Sequence, residues 1–144
     1  MQVNAVFDQE KKTKKNSLRA PWGNRDDLFL EGYTAIPNKF FYASANLRPP
    51  LTQGELLFVL QLMTFKWDEA APHPSYQTMA NLMGVNEKTV QRYAQSLCRK
   101  KYLYRVFRPH ATNRFDLTNF FDALAAASSV YVGRKPKKPS EPNA

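Results

Sequence analysis

With 144 residues, the chain is long enough for one domain with a real core and too short for two of ordinary size. The longest apolar run, Leu56 to Leu60, falls far short of a bilayer span, no apolar N-terminal stretch meets a small-residue cleavage site, and Cys98 is the one cysteine. A transmembrane helix, a secretory signal, a disulfide framework and a cysteine-based metal site are therefore not expected, and the cytoplasm is the expected compartment.

A net charge of +9 and a pI near 9.8 favour polyanionic partners, because neutralising phosphates releases counterions. Taken alone, that charge would also suit an acidic membrane surface or ribosomal RNA. Its distribution narrows the choice. Residues 1–20 carry five basic and two acidic side chains, residues 21–74 four and six, and residues 75–109 seven and one. The centre of the chain thus has a basic segment of its own.

In chain order, residues 1–30 read as a basic N-terminal arm, largely disordered: Lys11, Lys12, Lys14 and Lys15 stand among few apolar anchors. Gly32 to Asn38 alternates apolar and polar residues and meets Pro37, the pattern of a short edge strand. At Leu51–Leu56, Thr52 and Glu55 form a capping box and Leu51 can staple against Leu56, so a helix is expected from Thr52 to about Lys66. It is apolar nearly all round. That composition suits a core helix, with a dimer seam as the other reading.

Residues 68–74 hold two prolines and charged side chains and read as a loop. Ser75 caps a second helix, Tyr76 to Met83, and Gly84 stands where the chain must take positive φ after it. Ala80 precedes Gly84 by four residues and Val90 follows it by six. In a helix-turn-helix the first must be small where two helices cross, the second must make the left-handed turn, and the third must fill the core between them. Asn86 then caps a helix running from Glu87 to about Lys101, with Val90, Tyr93, Ala94 and Leu97 on its apolar face. Its outward set, Asn86, Glu87, Lys88, Thr89, Gln91, Arg92 and Gln95, is rich in side chains that can read base edges, since Gln pairs with adenine and Arg or Lys with guanine. Lys88, Gln91 and Arg92 lead that set. Ser75, Tyr76 and Gln77, at the start of the preceding helix, are further DNA-contact candidates.

Tyr102–Arg108 and Arg114–Leu117 read as two strands joined through Pro109–Asn113, which makes a hairpin wing. Arg105, Arg108 and Arg114 would set cations against the sugar-phosphate backbone or in the minor groove, with His110 and Asn113 at the tip. Leu103, Arg105 and Phe107 share one parity, so Arg108 and Arg114 are the firmer candidates. Thr118 can cap a last helix to about Ser128, with Phe120, Phe121 and Leu124 closing the core. Residues 129–144 read as a basic tail rich in proline and lysine, disordered like the N-terminal arm.

Catalytic chemistry finds no foothold. His73 and His110 have no partner at metal-ligand spacing, no glycine-rich phosphate loop is present, Cys98 has no neighbouring histidine, and the carboxylate pairs Asp26–Asp27 and Asp68–Glu69 lie in loop-like context. The expectation is a protein that is not an enzyme and uses no cofactor and no metal.

The order GYTAIPN, LTQGELLFVLQLM, SYQTMANLMGVNEKTVQRYAQSLCRKKYL and FDLTNFFDAL resembles the winged helix-turn-helix domains of bacterial plasmid, phage and mobile-element replication initiators and related regulators, over roughly residues 31–126. The resemblance implies that the Asn86 helix is the recognition helix, with Lys88, Thr89, Gln91 and Arg92 facing DNA and Arg105 to Arg114 as the wing. Many such domains have glycine where Lys101 precedes Tyr102. Larger initiators also continue into a second domain. The expected fold is mainly α with a small β-hairpin, a single winged helix-turn-helix domain over 31–128. The expected function is sequence-specific binding of double-stranded DNA in transcription or replication control, associated with nucleoid or plasmid. A homodimer and a replication or transcription partner protein are further candidate partners, and no membrane is. The alternative is a winged-helix adaptor subunit in a nucleoprotein assembly, with only non-specific DNA contacts.

Overall fold

A computed structural model of the chain describes residues 18–131, which divide after Thr34 into two compact units. In the first, short 3-10 helices cover Ala20–Trp22 and Asp26–Phe29. Arg19 reaches Asp26 at 2.9 Å and lies 5.2 Å from the centre of the Phe29 ring, tying the two turns together. The arm expected over residues 1–30 therefore contains local structure from Ala20 to Phe29. Residues 1–17 lie outside the described residues.

The second unit holds five α-helices and one hairpin among the described residues: α1 Asn38–Ala43, α2 Gln53–Met63, α3 Tyr76–Met83, α4 Glu87–Arg99, β1 Tyr104–Val106, β2 Arg114–Asp116 and α5 Thr118–Ala126. This is a mainly helical winged helix-turn-helix. The strand expected over residues 32–38 is a correction. Only β1 and β2 pair among the described residues, so that segment has no ladder to join, and Pro37 instead takes the N-cap position of α1. A proline cannot donate to a ladder but suits a helix entrance.

Three helix starts follow from local chemistry. The side chains of Thr52, Ser75 and Asn86 accept the backbone N–H of Glu55, Thr78 and Thr89 respectively, each satisfying a donor the first helical turn leaves free. The fourth expected cap differs. Leu117 occupies the N-cap of α5, and the Asp116 carboxylate, two residues before Thr118, accepts the Thr118 N–H at 2.9 Å. The Thr118 hydrogen bonds hold the Asp116 pKa below the ordinary carboxylate value.

Helices α2, α3 and α4 pack on one another, and α1 packs on α5. Phe58, Val59 and Leu62 of α2 meet Met79 and Ala80 of α3 and Val90, Ala94 and Leu97 of α4 in one buried cluster. Ala80 is buried where a larger side chain would push α3 away, and Val90 is fully enclosed. The core extends through Tyr102, Phe115 and Phe120 to Phe40 of α1. After α5 the chain returns to α1: Val130 N–H donates to the Tyr42 carbonyl at 2.6 Å, and the Tyr131 and Tyr42 rings lie 5.2 Å apart. The tail expected from residue 129 thus begins inside the domain, and residues 132–144 lie outside the described residues.

The turn between α4 and the wing closes in a particular way. Lys101 N–H bonds to the Cys98 carbonyl and Tyr102 N–H to the Leu97 carbonyl, the paired bonds of a Schellman ending, and Lys101 takes φ 65° at its centre. Lysine does here what glycine does after α3, where Gly84 has φ 68°. Holding a residue with a Cβ in the left-handed region costs on the order of 1 kcal/mol. Lys101 is exposed, so little packing is lost by replacing it. Lys101→Gly should raise stability by about 1 kcal/mol, seen as a thermal midpoint about 4 °C higher. An unchanged or lower midpoint would show that the turn is not strained.

Candidate nucleic-acid interface

Helix α4 presents Lys88, Gln91, Arg92 and Gln95 to solvent, and all four are exposed. Their spacing of three and four residues sets them in one stripe, which Arg99 continues by one further turn. Among the described residues, no side chain holds any of these five in a hydrogen bond or ion pair. Glu87 is the one carboxylate at this end of the helix, where the positive end of the dipole favours it.

The two cap residues are occupied differently. Asn86 Oδ1 accepts both the Thr89 N–H at 2.8 Å and the Thr89 hydroxyl at 2.9 Å. Thr89 is half-buried by that arrangement, and its hydroxyl proton is committed to the cap. At the start of α3, the Ser75 hydroxyl caps the helix and donates to Thr78 Oγ1 at 2.9 Å, while Gln77 is exposed. Tyr76 is half-buried against Phe115, with ring centres 5.9 Å apart, and its hydroxyl accepts from Arg105 at 2.9 Å.

The wing's register decides which of its arginines face outward. Tyr104 pairs with Asp116, Arg105 with Phe115 and Val106 with Arg114. Because Phe115 is buried, Arg105 shares the inward face, and the hydrogen bond to Tyr76 raises its pKa. Arg108 also turns inward: its Nε donates to the Thr112 carbonyl at 2.8 Å and its Nη2 to the Thr112 hydroxyl at 3.4 Å. Of the five wing candidates, Arg114 and His110 are the exposed ones, and Asn113 is half-buried. The loop before α3 covers the outer edge of β2, where the Pro72 carbonyl accepts the Phe115 N–H at 2.9 Å.

A shallow cleft brings the three predicted regions together. Ser75 and Tyr76 from the start of α3, Glu87 from the start of α4, and Ala111, Thr112 and Asn113 from the wing tip line its walls. Arg99 is not among the sequence-based candidates. The signal for it was present, since it follows Gln95 by four residues on the same stripe. Trp67, in the loop before α3, is 90% exposed and lies beside His73 and Arg114.

A trihelical core with a hairpin directly after its third helix, and an uncommitted polar and cationic face on that helix, defines a helix-turn-helix of the winged class. Residues 50–103 match a protein-family model described as a helix-turn-helix domain, the class of domain that docks a helix on DNA. No curated protein and no solved structure matches the chain. Among the described residues, no helix is long and apolar enough to cross a membrane, and no group of three or more His, Cys, Asp or Glu side chains is placed to hold a metal ion.

Proposed function

We propose that this protein binds double-stranded DNA sequence-selectively, laying α4 in the major groove, and acts in transcription or replication control without catalysing a reaction. The observation that carries this reading is the uncommitted Lys88–Gln91–Arg92–Gln95 stripe, which begins beside the cleft that α3 and the wing tip also line. Side chains with no internal partner break no intramolecular hydrogen bond on turning to a base edge. Lys88 and Arg92 can meet guanine, and Gln91 and Gln95 adenine. Arg99, Lys101 and Arg114 would neutralise flanking phosphates, which positions the helix and contributes no base discrimination.

Selecting bound duplexes from a random pool supplies the site. Alanine at Lys88, Gln91 or Arg92 should then weaken that site by about 1–3 kcal/mol per lost bidentate contact, while random DNA loses much less. Equal losses on both DNAs would refute base reading. Deleting residues 1–20 and 134–144 separates this reading from that of a protein-binding adaptor whose DNA contacts come only from its tails. A retained footprint supports α4 as the reader, and complete loss supports the adaptor.

A further inference from the structure

The wing carries an apolar side chain that the α4 surface does not use. Phe107 directly follows β1 and is 78% exposed, whereas Phe115 and Phe120 are each 1% exposed. Phenylalanine usually buries on the order of 150–250 Å². Here the turn holds it out. Arg108 grips Thr112 from one side of the turn, and the Thr112 hydroxyl donates to the His73 carbonyl at 2.5 Å, fastening the tip to the segment before α3. The ladder ends at the pair Val106 and Arg114, so Phe107, which has the parity of Arg105, lies one position beyond the packed part of that face. An aromatic ring therefore projects from a braced turn, with His110 and Arg114 also exposed on the wing.

We infer that Phe107 is an apolar wedge that enters the minor groove of the bound duplex at the wing and partly unstacks a base step, so that the DNA bends there. This rests on the proposed docking of α4, which fixes where the wing meets the duplex. Minor-groove proteins combine cations that follow the groove with an apolar side chain inserted between bases, and the bend recovers the cost of unstacking through added contact. Because the turn that carries it is braced, little backbone has to be ordered on insertion. Exposure of a large ring in water is otherwise unfavourable, and the bonds at Arg108 and Thr112 keep the turn from folding it away.

The test uses the full chain and a duplex selected by the wild-type protein from a random pool. Affinity, its salt dependence and the DNA bend, read by circularly permuted gel mobility, are compared for wild type, Phe107→Ala, Phe107→Leu and Arg114→Ala. Phe107→Ala should bind about tenfold more weakly and lose a bend of about 20–90° while keeping the wild-type salt slope. Phe107→Leu, still an apolar wedge, should retain most of the bend. Arg114→Ala should keep the bend and reduce the salt slope by about one. Thermal midpoints of the Phe107 variants should match wild type, which separates the effect from folding. A straight wild-type complex, or a Phe107→Ala complex with wild-type affinity and bend, overturns the wedge while leaving the α4 reading intact. Selection of no sequence by the wild-type protein removes both.

Discussion

Lys100→Met should lower stability by about 3 kcal/mol in urea denaturation, a large share of what a domain of this size has to lose. Glu55 is 3% exposed, and Lys100 Nζ meets its two carboxylate oxygens at 2.9 and 3.0 Å while also donating to the Pro50 carbonyl at 2.9 Å. The Thr52 hydroxyl, at 3.1 Å, and the Ser96 hydroxyl, at 3.4 Å, complete the shell around Glu55. Removing the lysine leaves a buried carboxylate with two neutral donors and no counter-charge. Breaking a buried pair costs about 3–5 kcal/mol, and the lower end applies because some solvent reaches the Lys100 side chain. Glu55→Leu combined with Lys100→Met should recover to within about 1 kcal/mol of wild type, since two apolar side chains avoid the desolvation of both charges. A double variant no more stable than Lys100→Met would show that the pair contributes through packing and not through charge. This contact anchors the end of α4 on the start of α2, so Lys100→Met should also loosen the platform that holds the exposed α4 stripe.

The second large effect is expected at Gly54. A Cβ built there would meet the Tyr93 hydroxyl and lie 2.5 and 2.6 Å from the two ring carbons nearest it, closer than packed atoms can approach. Helix propensity alone favours Gly54→Ala by about 1 kcal/mol. Steric overlap opposes it and should prevail, because the hydroxyl end of Tyr93 is what meets the Cβ and the ring behind it packs against the core, which limits how far it can turn aside. A net loss of about 2 kcal/mol is expected, the upper end of overpacking costs less the propensity gain. Tyr93→Leu should restore part of that loss in the Gly54→Ala background, giving a favourable coupling energy in a double-mutant cycle. A stabilising Gly54→Ala would mean that α2 and α4 can separate freely at this crossing. Gly54 and Glu55 together hold α4 at its middle and its end, which determines how its exposed stripe is presented.

What could be read before the structure was short in range. The Thr52, Ser75 and Asn86 caps each close a hydrogen bond across three residues, and the Gly84 turn and the apolar face of α4 lie within a few turns of chain. Helix starts, the helix-turn-helix spacing and the hairpin were therefore legible. The exposed candidates Lys88, Gln91, Arg92 and Gln95 could be named because helical periodicity alone separates them from Val90, Ala94 and Leu97.

The remainder depended on partners distant in sequence. Glu55 read as half of a capping box, yet its carboxylate meets a lysine 45 positions later. Gly54 gave no sign of its function until the Tyr93 ring lay over it. Residues 32–38 had the alternation of a strand, but a strand exists only where another strand bonds to it. Arg105 and Arg108 could not be separated from Arg114 by type, and it was the register of the wing and the position of Tyr76 and Thr112 that turned two of them inward. By itself, the sequence determined where α2, α3 and α4 begin and which side of α4 faces water, because capping and periodicity are properties of adjacent turns. Tertiary structure decided which charged side chains remain uncommitted, because that follows from which groups the folded chain brings within hydrogen-bonding distance.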